Sequence, residues 1–455
     1  MRYVSTRGAA PSLGFADVLL TGLASDGGLY VPESWPALPD LTMCSTYAEV
    51  AAAVMQPFVG DDIDANTLSE FCRQAYDTFS HPAVVPLVQV DHEQWIAELF
   101  HGPTLAFKDL ALQVVGRLFD HVLGRRGEWL TIIGATSGDT GSAAIEAVRG
   151  HDNIGIVMLF PDGRVSDVQR RQMTTVADSN VHVVAVDGTF DDCQDLVKAM
   201  FADQQFRERM RLSAVNSINW ARIMAQVVYY VTTARALARP PVFSVPTGNF
   251  GNVLSGWVAK QMGVTIAGLT IATNTNDILA RFFVDNDMSV RQVVPTLSPS
   301  MDIQISSNFE RLLFEMNGRD GGMTAEQLTR MRATGRLAVE PDQRAAFLHG
   351  VFRAASVDDD ATLAEIRRLH DTTGVLVDPH TATASVAARL GLFEGPTVTL
   401  ATAHPAKFPD AVAQAIGVRP PVPPALASFD GSAERMDRAP NDLAAVMAVV
   451  ERAAR

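Results

Sequence analysis

Cysteine is scarce in this chain: there are three in 455 residues, Cys44, Cys72 and Cys193. An odd number at wide spacing excludes a disulfide framework and a CxxC metal pair, so reduced thiols are expected. The ten histidines show no HxxxH or HExxH spacing, and no metal site is expected. Positive charge is also short. Lys and Arg number 37 against 51 Asp and Glu, for a formal charge of −14. Nucleic acid needs a basic footprint, and anionic membranes need one too, so neither is an expected partner. A local group of arginines can still hold a small anion. No apolar run approaches the roughly 18 residues that span a bilayer. The opening stretch MRYVSTRGAAPSLGF lacks the apolar core of a secretory signal. A cytoplasmic protein is expected.

What is present is core material: 47% hydrophobic residues beside 19% charged. At about 150 residues per domain, the length suggests roughly three domains or two large lobes. Short apolar runs at Trp129–Ala135, Ile154–Phe160, Val181–Val186, Val242–Val245, Ile266–Thr273 and Pro396–Thr402 read as strands. Helical patterns lie between them, including SDVQRRQMTTV, DDCQDLVKAMF, Asn219–Leu237 and VLSGWVAKQM. Such alternation predicts an α/β fold with parallel sheets covered on both faces, and a ligand site at the strands' carboxyl ends. The expected organisation is a small, mostly helical N-terminal extension over 1–85 and a catalytic region over 86–418. Within that region a smaller mobile lobe is expected at about 130–235. A Pro-rich tail with a short helix follows over 419–455.

Three segments carry chemistry. In HGPTLAFKDLALQ, Lys108 stands among apolar neighbours, where lost solvation lowers an amine's pKa and frees it to form Schiff bases or move protons. In GATSGDTG, between a strand and a helix, three glycines accompany the hydroxyls of Thr136, Ser137 and Thr140. That loop suits a carboxylate or a phosphate. In PTGNFGN, again between strand and helix, Gly248 and Gly251 free the backbone to aim N–H groups at a phosphate. It lacks the ending of a P-loop. Each segment alone is compatible with an ordinary turn or surface helix. Together they match what pyridoxal phosphate chemistry on an amino acid requires: an amine for the aldehyde, a phosphate anchor and a carboxylate site.

The order of motifs resembles the threonine synthase family, in the fold type II group of pyridoxal-phosphate enzymes. The similar segments are MRYVSTRG with DGGLYVPE, HGPTLAFKD, GATSGDTGSAA, VPTGNFGN, TLSPSMDIQISSNFERLLFE, DPHTA and ATAHPAKF. They run over nearly the whole chain. The resemblance implies that Lys108 bonds the cofactor and that Gly248, Asn249, Phe250, Gly251 and Asn252 hold its phosphate. It implies that Thr402 faces the pyridine nitrogen, which a hydroxyl leaves largely unprotonated. Asp139 is left to hold its loop's shape or to orient Ser137. The implied reaction converts O-phospho-L-homoserine and water to L-threonine and phosphate. Lys108 removes the α proton and moves protons between Cα and Cβ.

The substrate phosphate needs a cationic site of its own. GRVSDVQRRQ offers Arg164, Ser166, Arg170 and Arg171. If that segment is helical throughout, Arg164 and Arg171 share one face, and Ser166 and Arg170 another. Ser217 and Asn219 are weaker candidates, and His101 and His404 read as loop-shaping residues. Two other readings use the same scaffold. One is a phospholyase releasing 2-oxobutyrate, ammonia and phosphate; the other is a non-catalytic sensor of amino acid or phosphate. Nothing in the sequence chooses between monomer and homodimer.

Overall fold

The computed structural model describes residues 1–136, 138–214, 217–427, 429 and 431–453. The larger of two parallel-type sheets has the order Phe352–Ser356, Gly268–Thr273, Val242–Pro246, Thr397–Ala401, Gln94–Glu98, Leu87–Asp91. Its first five strands are parallel, and Leu87–Asp91 closes one edge antiparallel. Gly268–Thr273, Val242–Pro246 and Thr397–Ala401 are buried at every position, which is why they read as continuous apolar runs instead of alternating ones. The smaller sheet has the order Asp437–Pro440, Val181–Asp187, Ile154–Pro161, Leu130–Ala135, Leu212–Ser213, all parallel.

The expected strands and helices are present within a residue or two, apart from a later start at Gly268. Within the two parallel-type sheets five strands had no expectation: Leu87–Asp91, Gln94–Glu98, Leu212–Ser213, Phe352–Ser356 and Asp437–Pro440. The tail does more than extend. Asp437–Pro440 pairs with Val181–Asp187, and helix Leu443–Ala453 buries Val446, Val449 and Val450 against Cys193, Leu196 and Met200 of helix Phe190–Ala202. The core beside the smaller sheet is therefore built from both the middle and the end of the chain.

The N-terminal region has the helices Phe15–Thr21, Tyr47–Val59 and Ala65–Tyr76. It also has a three-stranded antiparallel sheet of Leu13–Gly14, Arg2–Ser5 and Tyr30–Pro32. Thr46 and Glu49 form a reciprocal capping box at the start of Tyr47–Val59. This region docks on Trp220, the first residue of helix Trp220–Ala236. The rings of Tyr3, Trp35 and Phe58 surround it at 6.0, 5.8 and 5.7 Å between centroids. Emptying such an aromatic site costs about 3–5 kcal/mol. The docking fixes the start of a helix that reaches the site described next. Among the described residues no helix is long and apolar enough to cross a membrane.

Candidate functional site

Three loops follow the carboxyl ends of Leu130–Ala135, Val242–Pro246 and Thr397–Ala401. They meet around a cavity of about 810 Å³. Lys108, Thr136, Asp139, Thr140, residues 246–252 and Thr402 all line it. The sequence thus placed the lysine segment and both glycine-rich loops on one site. Ser137 lies outside the described residues.

Lys108 opens helix Lys108–Arg126 and is 9% exposed. The chain reaches it through a shaped loop. Thr104 donates from N and Oγ1 to the Asp109 carboxylate at 2.8 and 2.7 Å, and Leu105 takes a left-handed φ of 60°. Burial pushes the Asp109 carboxyl up to about 6. Burial pushes the Lys108 amine below its ordinary value; Asp139 opposes this, while Lys407 and Arg222 add to it.

Asp139 is the electrostatic hub. Its Oδ1 lies 2.7 Å from Lys407 Nζ and accepts from Gln169 Nε2 at 3.2 Å; its Oδ2 lies 3.8 Å from Lys108 Nζ. Burial alone would raise its pKa, but the ammonium groups of Lys407 and Lys108 hold the carboxyl below its ordinary value. Lys407 has no exposed side-chain surface and also donates to the Thr104 carbonyl at 2.8 Å. Sequence reading quoted its segment but gave it no role. A lysine followed by phenylalanine signals nothing until the fold buries it.

The Gly134–Gly141 loop is shaped from within. Thr136 Oγ1 accepts from the N–H groups of Gly138 and Gly141, both at 2.9 Å. At Gly138, with φ 139°, an added Cβ would stand 2.2 Å from the Gln169 side chain. The cradle at 247–252 differs from expectation in one respect. Neither Gly248 nor Gly251 has a positive φ; the left-handed residue is Phe250, at 63°. Its buried ring, stacked on Phe283 and edge-on to Phe309, holds a conformation that costs about 1–2 kcal/mol. Gly248 is needed for space, since an added Cβ would meet the Ser300 carbonyl at 2.6 Å. Gly251 begins helix Gly251–Gln261, whose free N–H groups face the loop. Asn252 Oδ1 accepts from Tyr229 and Tyr230 at 2.7 and 2.8 Å, while its buried Nδ2 has no partner among the described residues.

Thr402 is 7% exposed and lines the cavity, and its carbonyl accepts from Phe107 N–H at 2.8 Å. His380, which sequence reading did not single out, lines it too. Its Nδ1 faces Asp378 Oδ2 at 2.6 Å, and its Nε2 accepts from Ser300 N–H at 3.2 Å. His404 caps the turn Pro405–Lys407, and His101 pairs with Glu98 at 2.7 Å. Both shape loops.

The expected phosphate arginines separate. Helix Asp167–Thr174 starts later than assumed, with Ser166 as its N-cap. Arg164 therefore precedes the helix and shares no helical face with Arg171. Arg164 and Ser166 line a neighbouring cavity of about 300 Å³ that shares Asp139, Thr140, Pro299 and Ser300 with the larger one. Arg170 turns away to Glu434 at 2.9 and 3.1 Å and to Asp167 at 2.6 Å. Neither Arg170 nor Arg171 lines these two cavities. Of the weaker candidates, Ser217 lines the larger cavity. Asn219 is spent on structure: it caps Trp220–Ala236 and donates to the Leu19 carbonyl at 2.8 Å.

A buried amine, a nest at a helix start closed to any Cβ at Gly248, an orphaned amide at Asn252 and a strand-end hydroxyl fit pyridoxal phosphate by the chemistry of their donors. Comparison with known proteins agrees. Family models match in sequence: Threonine synthase N terminus over residues 2–76, Pyridoxal-phosphate dependent enzyme over 82–347, and Threonine synthase, C-terminal over 381–450. The chain is 52% identical to the threonine synthase of Pseudomonas aeruginosa, over 99% of this chain and 98% of that one. It superposes on the crystal structure of pyridoxal-phosphate-bound threonine synthase from Brucella melitensis with a TM-score of 0.97, at 50% identity and full coverage of both chains. For the yeast threonine synthase structure the TM-score is 0.94, at 36% identity over 99% of this chain and 98% of that one. The chain belongs to the threonine synthase family of pyridoxal-phosphate-dependent enzymes.

Proposed function

We infer that this chain is the enzyme that converts O-phospho-L-homoserine and water to L-threonine and phosphate, the last step of threonine biosynthesis. The observation that carries this is the buried Lys108, its basicity lowered by burial, in one cavity with the 247–252 cradle and Thr402. Pyridoxal phosphate, when bound, supplies the electron sink that stabilises charge developing beside the amino acid's α carbon.

The chain's own residues do the rest. Lys108 would hold the cofactor through Nζ; once the substrate's amine has displaced it, its free Nζ takes the α proton and then moves protons between Cα and Cβ, so that phosphate leaves from Cγ and water adds at Cβ. Its lowered pKa keeps more of the amine unprotonated near neutral pH. Asp139, kept ionised by the buried Lys407, holds that amine in place without a tight hydrogen bond. Gly248, Asn249, Phe250, Gly251 and Asn252 would hold the cofactor phosphate, and Thr402 would face the ring nitrogen. Thr136, Thr140, Arg164 and Ser166 form the substrate side, where the smaller cavity adjoins the larger.

The reading is compatible with a monomer and with a homodimer. Three free cysteines suit a cytoplasmic enzyme. The smaller lobe, at about 130–235, is read as the part that moves, with 1–85 and the tail after 418 as attachments to the catalytic region. Borohydride reduction of the cofactor-loaded protein, followed by peptide mapping, tests the core of the reading. The adduct is expected on Lys108, and an adduct on another lysine overturns it.

A further inference from the structure

The wall of the large cavity holds a carboxylate–imidazole pair with no part in the proton transfers assigned to Lys108. Asp378 has no exposed surface, and His380, which lines the cavity, is 4% exposed. Asp378 is the N-cap of helix Pro379–Arg389, and its carboxylate accepts on both oxygens. Oδ1 accepts from the Thr381 N–H at 3.1 Å and from the Thr381 hydroxyl. Oδ2 accepts from the His380 N–H at 3.0 Å and faces His380 Nδ1 at 2.6 Å. A carboxylate in that position leaves the neutral imidazole one tautomer, with the proton on Nδ1 and the lone pair on Nε2. That lone pair is used: Nε2 accepts from the Ser300 N–H at 3.2 Å. The Phe408 ring packs edge-on against the imidazole at 4.9 Å between centroids.

Ser300 belongs to the short turn Pro299–Met301, whose far end is fastened separately. Asp302 Oδ1 accepts from the side chains of Asn274, Asn276 and Thr296 at 2.7, 3.0 and 2.7 Å, and its Oδ2 accepts from the Thr296 N–H at 3.0 Å. The turn held between these two anchors has two neighbours. Its Pro299 and Ser300 line both the large and the small cavity. Its Ser300 carbonyl is the atom that an added Cβ at Gly248 would meet at 2.6 Å. His380 thus reaches the cradle at one remove: it holds the Ser300 N–H, and the Ser300 carbonyl closes the cradle beside Gly248.

We propose that His380 is a positioning residue of this site. Asp378 fixes its proton on Nδ1, and its Nε2 holds Ser300 so that the turn Pro299–Met301 forms the wall shared by the cofactor cradle and the substrate side. The proposal rests on reading the large cavity as the pyridoxal phosphate site and the small one as the substrate side. A ligand site keeps its geometry only when its supporting residues are themselves held. Loss of this anchor moves the wall and leaves the Lys108 amine where it is, so binding suffers before the chemical step does.

The test uses the full-length, cofactor-loaded protein with His380→Asn and His380→Gln. The asparagine amide reaches the Nδ1 position and donates to Asp378, but leaves the Ser300 N–H without its acceptor. The glutamine carbonyl reaches the Nε2 position and accepts from Ser300. Pyridoxal phosphate affinity is measured by absorbance titration and by retention on dialysis, and KM and kcat are measured with O-phospho-L-homoserine. His380→Asn is expected to weaken cofactor affinity and to raise KM by about three- to tenfold each, with kcat at saturating cofactor within about twofold of wild type. His380→Gln is expected to recover most of both losses. A histidine that only packs would not separate the two variants, because both lose the imidazole. Equal behaviour of the two, unchanged cofactor affinity and KM in His380→Asn, or a fall in kcat with KM unchanged each overturns the proposal. If His380→Asn does not fold, wild type decides by nitrogen NMR of the histidine-labelled protein, with the His380 signal assigned by its absence from the glutamine variant. The Nδ1–H tautomer is expected there, and the Nε2–H tautomer refutes the proposal. Wild-type protein that takes up no pyridoxal phosphate would instead refute the assignment of the cavity itself.

Discussion

Asp139 spans two lysines unequally: Lys407 Nζ is 2.7 Å from Oδ1, while Lys108 Nζ is 3.8 Å from Oδ2. The inequality separates two jobs. Lys407, fully buried, keeps Asp139 a carboxylate, and Lys108 stays loosely held and available for chemistry. A single carboxylate bonded tightly to the reactive amine would hold its proton on.

Removing the inner lysine should upset both jobs. Lys407→Met takes away a cation that lowers Lys108 and leaves Asp139 to pair with Lys108 alone. The Lys108 nitrogen should then hold its proton more firmly. The pH midpoint of the bound cofactor's visible absorbance is expected to rise by about one unit. Breaking a buried pair should also cost about 3 kcal/mol of stability. An unchanged or lower midpoint would show that Lys407 does not tune the amine.

The cradle glycines should respond differently. Gly248→Ala puts a methyl 2.6 Å from the Ser300 carbonyl, backbone that cannot swing aside, so cofactor should be lost on dialysis. Gly251→Ala meets its nearest atoms at 3.4 Å, at a helix start with no positive φ, and should keep cofactor as wild type does. Equal behaviour of the two variants would contradict the cradle's geometry.

Arg170 should matter to assembly and not to catalysis. It ties helix Asp167–Thr174 to Glu434 in the tail, and Thr174 Oγ1 joins the same carboxylate at 2.7 Å. Arg170→Ala should lower stability by about 1 kcal/mol in chemical denaturation and leave kcat/KM within about twofold. A tenfold rise in KM would return Arg170 to the substrate site.

Burial lowers His404 to about 4, with the nearby His101 adding to the effect. A depressed histidine contributes stability that is full above its unfolded value of about 6.5 and is lost as pH falls toward 4. His404→Asn keeps an acceptor for the Ala406 N–H and removes the titration. Between pH 6.5 and 4.5 wild type should lose stability faster than the variant, by at most about 1.4 kcal/mol per pH unit. Parallel curves would remove His404 from the acid response.

How much of this was legible in sequence follows from where each signal resides. Lys108 and the loops at 134–141 and 246–252 were readable because glycines and hydroxyls between a strand and a helix are a local pattern. Lys407 and His380 were not, because their meaning comes from burial and from partners far along the chain, Asp139 and Thr104 for the first and Ser300 for the second. Arg170 misled for the same reason: its partner Glu434 is 264 residues away and belongs to a tail that reads as Pro-rich and extended. Asp437–Pro440 escaped because a charged edge strand ending in proline has no apolar run. The left-handed residue of the cradle was not legible because glycine is the usual host, and here aromatic packing holds Phe250 in that conformation instead.

The most direct measurement is product analysis. Purified, cofactor-loaded protein is incubated with O-phospho-L-homoserine, and threonine, 2-oxobutyrate and phosphate are quantified together. The account predicts threonine and phosphate in equal amounts, with 2-oxobutyrate a minor leak, and a loss of turnover on the order of a thousandfold or more in Lys108→Ala. Stoichiometric 2-oxobutyrate without threonine, or full turnover in Lys108→Ala, would contradict it.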